Sequence, residues 1–186
     1  MKAANSLNGN TLVRITGDCP LIDPCLVDKM IKLYEEKKVD YLSNVEPPTF
    51  PDGLDIEIFT KRALEISTIQ SKDPNDREHV TSYIRNSKFF TKYNIANPTD
   101  LSRVRWTLDE FEDYQVISKI FSEFYPNIFF TWEDILKIPP DKLINSLNNL
   151  DTKRNEGSKM GKGQKLWSRA KRVIPGGNML LSKRVE

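Results

Sequence analysis

The run Thr11-Leu12-Val13-Arg14-Ile15-Thr16, halted by Gly17-Asp18 and followed by Asp23-Pro24, constrains this chain more than any other stretch. β-Branched and aliphatic residues bounded by a glycine describe a short buried strand. Asp23 ahead of Pro24 is an N-cap followed by a residue well suited to the first helical position. Leu26, Val27, Met30, Ile31 and Tyr34 recur at helical spacing, and the charged run Glu35 to Lys38 closes the helix. Val39 to Ser43 reads as the next strand. Strand, helix and strand in that order predict a crossover unit of a parallel sheet, and so an α/β architecture.

Further along, the proline-rich loop Pro47 to Gly53 leads into a strand over Leu54 to Phe59 and a helix from Lys61 with Thr60 as its cap. A second helix is expected over about Arg77 to Asn86. Arg103 to Leu108 alternates as a strand does, and the next helix shows Tyr114, Ile117, Ile120, Phe121 and Phe124 on one face. Thr131 with Asp134 approximates a capping box. Pro140 opens a last helix carrying Leu143, Leu147 and Leu150. Residues 151–164 are charged, contain Gly157, Gly161 and Gly163, and read as a linker, after which 165–186 begin a new segment. The expected organisation is a body over 1–150, a linker over 151–164 and an incomplete second domain over 165–186.

Composition narrows the function class. The first 150 residues carry 18 Lys+Arg against 23 Asp+Glu, and the remaining 36 carry 10 against 3. An acidic body is therefore joined to a basic tail. No aromatic platform is interleaved with the tail's charges, so nucleic acid is not the expected partner. No apolar run approaches the roughly 18 residues of a membrane span, and the polar start is unlike a secretory leader. Cys19 and Cys25, six positions apart around a proline, make neither a disulfide framework nor a zinc site. A reduced, cytoplasmic protein is expected.

Asp18 follows a glycine at a strand end, the place where ligands collect in open α/β sheets. Asp109 follows Arg103 to Leu108 in the same way. Two such carboxylates suit Mg²⁺, which takes one or two carboxylates with substrate phosphates and water; equally, either aspartate serves as a cap for the turn it begins.

Four segments in order carry a resemblance: Val13 to Pro24, Pro51-Asp52-Gly53-Leu54-Asp55-Ile56-Glu57, Arg77-Glu78-His79-Val80-Thr81, and Arg105-Trp106-Thr107-Leu108-Asp109-Glu110. Together they resemble the cytidylyltransferases of the spore-coat polysaccharide biosynthesis family, relatives of CMP-KDO and CMP-sialate synthetases, over about Leu12 to Asn148. The resemblance implies a partial glycosyltransferase-A-like, mixed and mostly parallel sheet flanked by helices. It also implies transfer of CMP from CTP to an acidic or amino sugar, with a homodimer as the common assembly. In that scheme Asp18 and Asp109 are the catalytic metal carboxylates. Asp52, Gly53, Asp55, Glu57, Arg77 and His79 are the substrate-binding set. Each has a structural alternative: Glu57 as an exposed strand position, Arg77 as the partner of a neighbouring acid, His79 as a packing residue, Arg105 as a solvated strand position. Trp106 reads as core.

The family's basic glycine-containing loop, which holds the triphosphate, has no match here. At least one strand-helix-strand unit of roughly 30 residues is expected to precede this stretch, and its loss would leave the edge of Leu12 to Thr16 open. The chain by itself is accordingly expected to turn over CTP weakly or not at all. Lys165 to Asn178 resembles the start of class III aminotransferases of the glutamate-1-semialdehyde aminomutase type. That implies a fusion whose pyridoxal phosphate (PLP) lysine lies downstream. Two other readings follow: an aminotransferase fusion whose activity lies beyond this stretch, and a sugar-binding remnant without catalysis.

Overall fold

The computed structural model describes residues 9–71, 76 and 79–139. β1 (Thr11–Arg14), β2 (Tyr41–Ser43), β3 (Glu57–Thr60) and β4 (Lys92–Asn94) form one sheet in the order β1-β3-β2-β4. The helices are α1 (Pro24–Lys37), α2 (Lys61–Gln70), α3 (Ser82–Asn86), α4 (Phe111–Phe124) and α5 (Trp132–Leu136). The expected mixed α/β sheet with flanking helices is what the chain forms.

The pairing differs from a plain crossover unit. β1 and β2 run in the same direction, but neither touches the other: both pair antiparallel with β3, which lies between them. Only β2 and β4 pair parallel among the described residues. The reason is β3's apolar content. Glu57, Ile58 and Phe59 are buried on both faces, so β3 takes the protected interior position. β1 takes the edge and is not the buried strand its composition suggests, with Val13 and Ile15 each about two-fifths exposed. Past the end of the β2–β3 ladder, the buried Asn44 amide continues it. Its Nδ2 donates to the Leu54 carbonyl at 2.7 Å and its Oδ1 accepts from Ile56 N at 2.9 Å.

Helices cover both faces. Leu42 and Ile58 pack with Met30 and Tyr34 of α1, Val116, Ile117 and Ile120 of α4, Ile135 of α5, and Trp106. On the other face Tyr41 and Phe59 pack with Ala63 and Leu64 of α2, Ile84 of α3, and Phe90. Each such fully buried apolar side chain is worth about 1.5–3 kcal/mol relative to exposure.

Local signals fixed most helix ends. Thr60 Oγ1 accepts from Ala63 N at 3.0 Å, and Thr131 and Asp134 form a capping box in both directions. Lys38 takes up a left-handed conformation (φ 52°) and terminates α1. The helix expected over Arg77 to Asn86 begins only at Ser82. Ahead of it the His79 carbonyl accepts from Thr81 N at 2.5 Å, around Val80 at φ 56°. That γ-turn with a left-handed, β-branched centre is strained and stops the helix. Arg103 to Leu108 forms no strand, only a single parallel bridge between Arg105 and Asp52. α4 turns Asp113, Val116, Ile117 and Ile120 inward and leaves Tyr114 more than half exposed, a rotation from the face the spacing suggested. The helix expected from Pro140, the linker and the basic segment lie outside the described residues.

Asp23 ends two helices. Its Oδ1 accepts from Cys25 N (2.7 Å) and Leu26 N (3.3 Å) of α1, and its Oδ2 accepts from Trp132 N (2.9 Å) of α5. Asp23→Ala removes the α1 cap and the added bond to the first turn of α5 from a buried position, while the Thr131 cap of α5 remains, and is expected to cost about 2–4 kcal/mol in urea unfolding. Asp23→Asn keeps an acceptor for only one of the two helices, so its cost should be near half. Equal losses for the two variants would contradict this double contact.

Candidate active site

The β1 strand ends in a tight turn. Cys19 N donates to the Thr16 carbonyl, Ile22 N donates to the Cys19 carbonyl, and the Thr16 hydroxyl meets Cys19 Sγ at 3.0 Å. Cys19 is buried beneath Asp18, and its thiol is pushed up to about 11, chiefly by burial, with the charges of Asp18 and Asp55 adding to it. It packs as a neutral thiol. Cys25, also free, is exposed. Gly17 lies beside open space, since a Cβ built there meets nothing within 4 Å. The room next to Asp18 therefore comes from the surroundings and does not depend on the missing side chain.

Two loops converge on this turn. Leu108 N donates to the Asp18 carbonyl at 2.8 Å, which sets Asp109, the next residue, beside Asp18. Asp52 N donates to the Val104 carbonyl and Trp106 N donates to the Asp52 carbonyl, so the Pro51 to Leu54 loop is stitched to residues 104–106. Gly53 permits that approach. It adopts φ +108°, and a Cβ there would lie 2.7 Å from Trp106 C and O. Only glycine fits both the conformation and the gap.

Arg105 organises the acids. Its Nε and Nη2 donate side-on to Asp113 at 3.0 and 2.9 Å, Nη2 also donates to Asp109 Oδ2 at 2.8 Å, and Nη1 lies 3.8 Å from Asp52. Asp113 further accepts from the Asp109 and Glu110 amides at 3.0 Å each. Burial pushes the Asp113 carboxyl up, but the Arg105 hydrogen bonds and those two amides outweigh it and hold the group below the usual carboxylate range. Arg105 in turn is held further above its ordinary value, first by its hydrogen bonds to Asp113. The hydroxyl of Thr107, buried between Trp106 and Leu108, has no partner among the described residues.

Asp18 and Asp55 thus both act on the Cys19 thiol, and Asp52 and Asp109 both meet Arg105, on loops whose backbones are joined beyond the end of β1. The structure sets Glu57 apart. Far from being an exposed strand position, Glu57 is 3% exposed and is engaged by Arg14 and the Tyr41 hydroxyl. His79 lies half-buried on the turn before α3, on the other layer, and Arg77 is outside the described residues. Sequence reasoning missed Arg105 as a hub and Asp113 altogether. The spacing of Arg105, Asp109 and Asp113 at steps of four was the available signal, hidden because Arg105 itself is not helical.

Trp106 packs in the core, as its sequence context suggested. Among the described residues no helix is long and apolar enough to cross a membrane, and no group of three or more His, Cys, Asp or Glu could hold a metal by itself.

Comparison with known proteins places this arrangement. A cytidylyltransferase structure from Leptospira borgpetersenii serovar Hardjo-bovis superposes with a TM-score of 0.73 at 34% identity, covering 79% of this chain and 63% of that one. An uncharacterized protein of Methanocaldococcus jannaschii is 34% identical over 125 residues, 66% of this chain and 50% of its own length. The spore coat polysaccharide biosynthesis protein SpsF of Bacillus subtilis is 30% identical over 127 residues, 66% of this chain and 52% of its own. The chain thus spans about half the length of the curated relatives it matches. The family described as Cytidylyltransferase matches residues 1–145, and with the convergent acidic loops at the end of β1 this places the chain in the cytidylyltransferase family.

Proposed function

We propose that the chain contributes the metal-binding acidic edge of an enzyme that transfers CMP from CTP to a sugar in polysaccharide synthesis. The observation that carries this is the Leu108 N to Asp18 O bond, which joins the backbone preceding Asp109 to Asp18 beyond the end of β1. Family membership and the similarity to SpsF support the reaction class.

The two carboxylates suit Mg²⁺. Asp18 engages one oxygen with Cys19 Sγ at 3.6 Å, and Asp109 engages one with Arg105. The second oxygen of each has no partner among the described residues. Two carboxylate oxygens, with phosphate oxygens and water completing an octahedron, are the usual Mg²⁺ arrangement. A bound ion would offset negative charge on the phosphate oxygens, with Asp18 and Asp109 as the residues that would hold it. A sugar hydroxyl would attack the α-phosphorus in line; the new oxygen–phosphorus bond forms as the bond to the β-phosphate breaks, and pyrophosphate leaves. Arg105 holds Asp109 in place for this, and Asp113 holds Arg105. In this reading Asp52 and Asp55, on the loop that Gly53 presses against Trp106, would accept hydroxyls of the acceptor.

Calorimetric titration of the protein with CTP in Mg²⁺ tests the reading. Binding that requires Mg²⁺ is expected, weakened about tenfold or more by Asp18→Asn or Asp109→Asn, with circular dichroism unchanged. A folded protein that takes up no CTP with Mg²⁺ would sink it.

A further inference from the structure

On the sheet face covered by α2 and α3, the strand ends carry a polar row in register. Arg14 stands opposite Glu57, Glu57 opposite Ser43, and Ser43 opposite Asn94. The next row on the same face is Leu12, Phe59, Tyr41 and Lys92, which is mostly apolar. Polar groups at such a place cost stability unless they are paired, and nearly all of them are. Glu57 is held by Arg14 and by the Tyr41 hydroxyl, whose proton is retained well above the ordinary phenol range by burial first and by Glu57's charge second. Ser43 Oγ meets Asn94 Oδ1 at 3.2 Å, and Asn94 Nδ2 donates to the Pro47 carbonyl at 3.0 Å. Lys92 Nζ donates to the carbonyls of Arg85 and Ser87.

Beside this row opens a concavity of about 310 Å³, lined in part by Tyr41, Ser43, Glu46, Arg85, Lys92 and Asn94. Arg85 is the exception to the pairing. It is half-buried, its guanidinium reaches only Ser82 Oγ, at 3.5 Å, and it forms no ion pair among the described residues. A fork of five donors, partly withdrawn from water and facing a cavity, is left with unfilled hydrogen-bonding capacity.

We propose that this concavity is an oxyanion site for a small hydroxylated molecule, with Arg85 receiving its carboxylate or phosphate. The guanidinium fork matches either group bidentately. The exposed Glu46 carboxylate at the rim accepts ligand hydroxyls. Lys92 adds positive field but is tethered by its two carbonyls. The volume is at the small end of ligand pockets. The site lies at the carboxyl ends of β2 and β4, which stand two and three strand spacings from β1.

The test is a ¹H–¹⁵N chemical-shift titration of the protein with D-glucuronate, glucose 6-phosphate and D-glucose, without nucleotide or metal. The anionic sugars are expected to move the amides of Ser43, Arg85 and Asn94 in a saturable way, and D-glucose is not. Whichever of glucuronate and the phosphate binds more tightly identifies the anion. Arg85→Gln should weaken that binding about tenfold or more, and Arg85→Lys, which keeps charge but loses the fork, by less. Dispersed spectra of both variants report that the fold is intact. D-Glucose binding as well as the anions, full affinity in Arg85→Gln, or no response at these amides to any of the three would overturn the proposal. Because nucleotide and metal are absent, such a failure leaves the CTP reading standing, and a failure of CTP binding leaves this site standing.

Discussion

Gly53→Ala is expected to destabilise the fold by about 3–4 kcal/mol, whereas a Cβ at Gly17 meets open space. Two independent penalties act together. A φ of +108° lies in a region that side chains rarely adopt, and the added carbon would meet the Trp106 backbone at 2.7 Å. Neither can relax cheaply. The loop cannot retreat without breaking the hydrogen bonds from Asp52 N and Trp106 N, and Trp106 cannot shift without opening the core. Urea unfolding followed by Trp fluorescence measures the cost. A loss below about 1 kcal/mol, the usual penalty for ordinary loop substitutions, would show that the two loops are not pressed together. Because the same contact positions Asp52, the proposed Mg²⁺-dependent binding of CTP should weaken along with stability in this variant.

Arg105→Leu carries the second large expectation, about 3 kcal/mol, at the low end for breaking a buried ion pair. The low end applies because Asp113 would keep its two amide hydrogen bonds. The pH profile is the sharper readout. Asp113 is held below its ordinary value, so in the native protein its contribution is fully present above the unfolded carboxyl pKa near about 3.9 and is lost as pH falls through the folded value. Without the guanidinium, burial opposes only the two amides and the folded pKa rises. The variant should therefore lose less stability than the native protein on acidification from about pH 5 to pH 3. Parallel profiles of urea midpoint against pH would mean that Arg105 does not set the Asp113 charge.

These two residues show where the sequence was readable and where it was not. Asp23, Thr60 and Thr131 announced three helix starts correctly, because a cap joins a side chain to backbone only a few positions away. Pairing across the sheet has no such local mark. Nothing near Glu57 states that β3 will insert between β1 and β2, and Lys92-Tyr93-Asn94 is too short to alternate recognisably. β4 is placed instead by Asp40, whose carboxylate accepts from the Thr91 amide and hydroxyl, and by parallel pairing with β2. Val80 broke an otherwise helical pattern through a backbone conformation that valine's preferences argue against. In α4 the inward face rotated because Arg105 draws Asp113 into the interior, leaving Tyr114 stacked outside on Phe111. Asp18 was legible as a carboxylate beyond a strand end, whereas the strand expected ahead of Asp109 does not form. That the two segments are joined follows from one backbone hydrogen bond between positions ninety apart, which no spacing rule contains.

Asp23 also bears on the order of events when the chain folds. Its two bonds to α1 close over two or three positions, so they can form as soon as that helix nucleates. The bond to Trp132 spans 109 positions and must wait until the intervening chain has collapsed. One carboxylate thus belongs to both an early and a late stage. By this contact-separation argument, α5 is expected to dock onto a cap that α1 can build first.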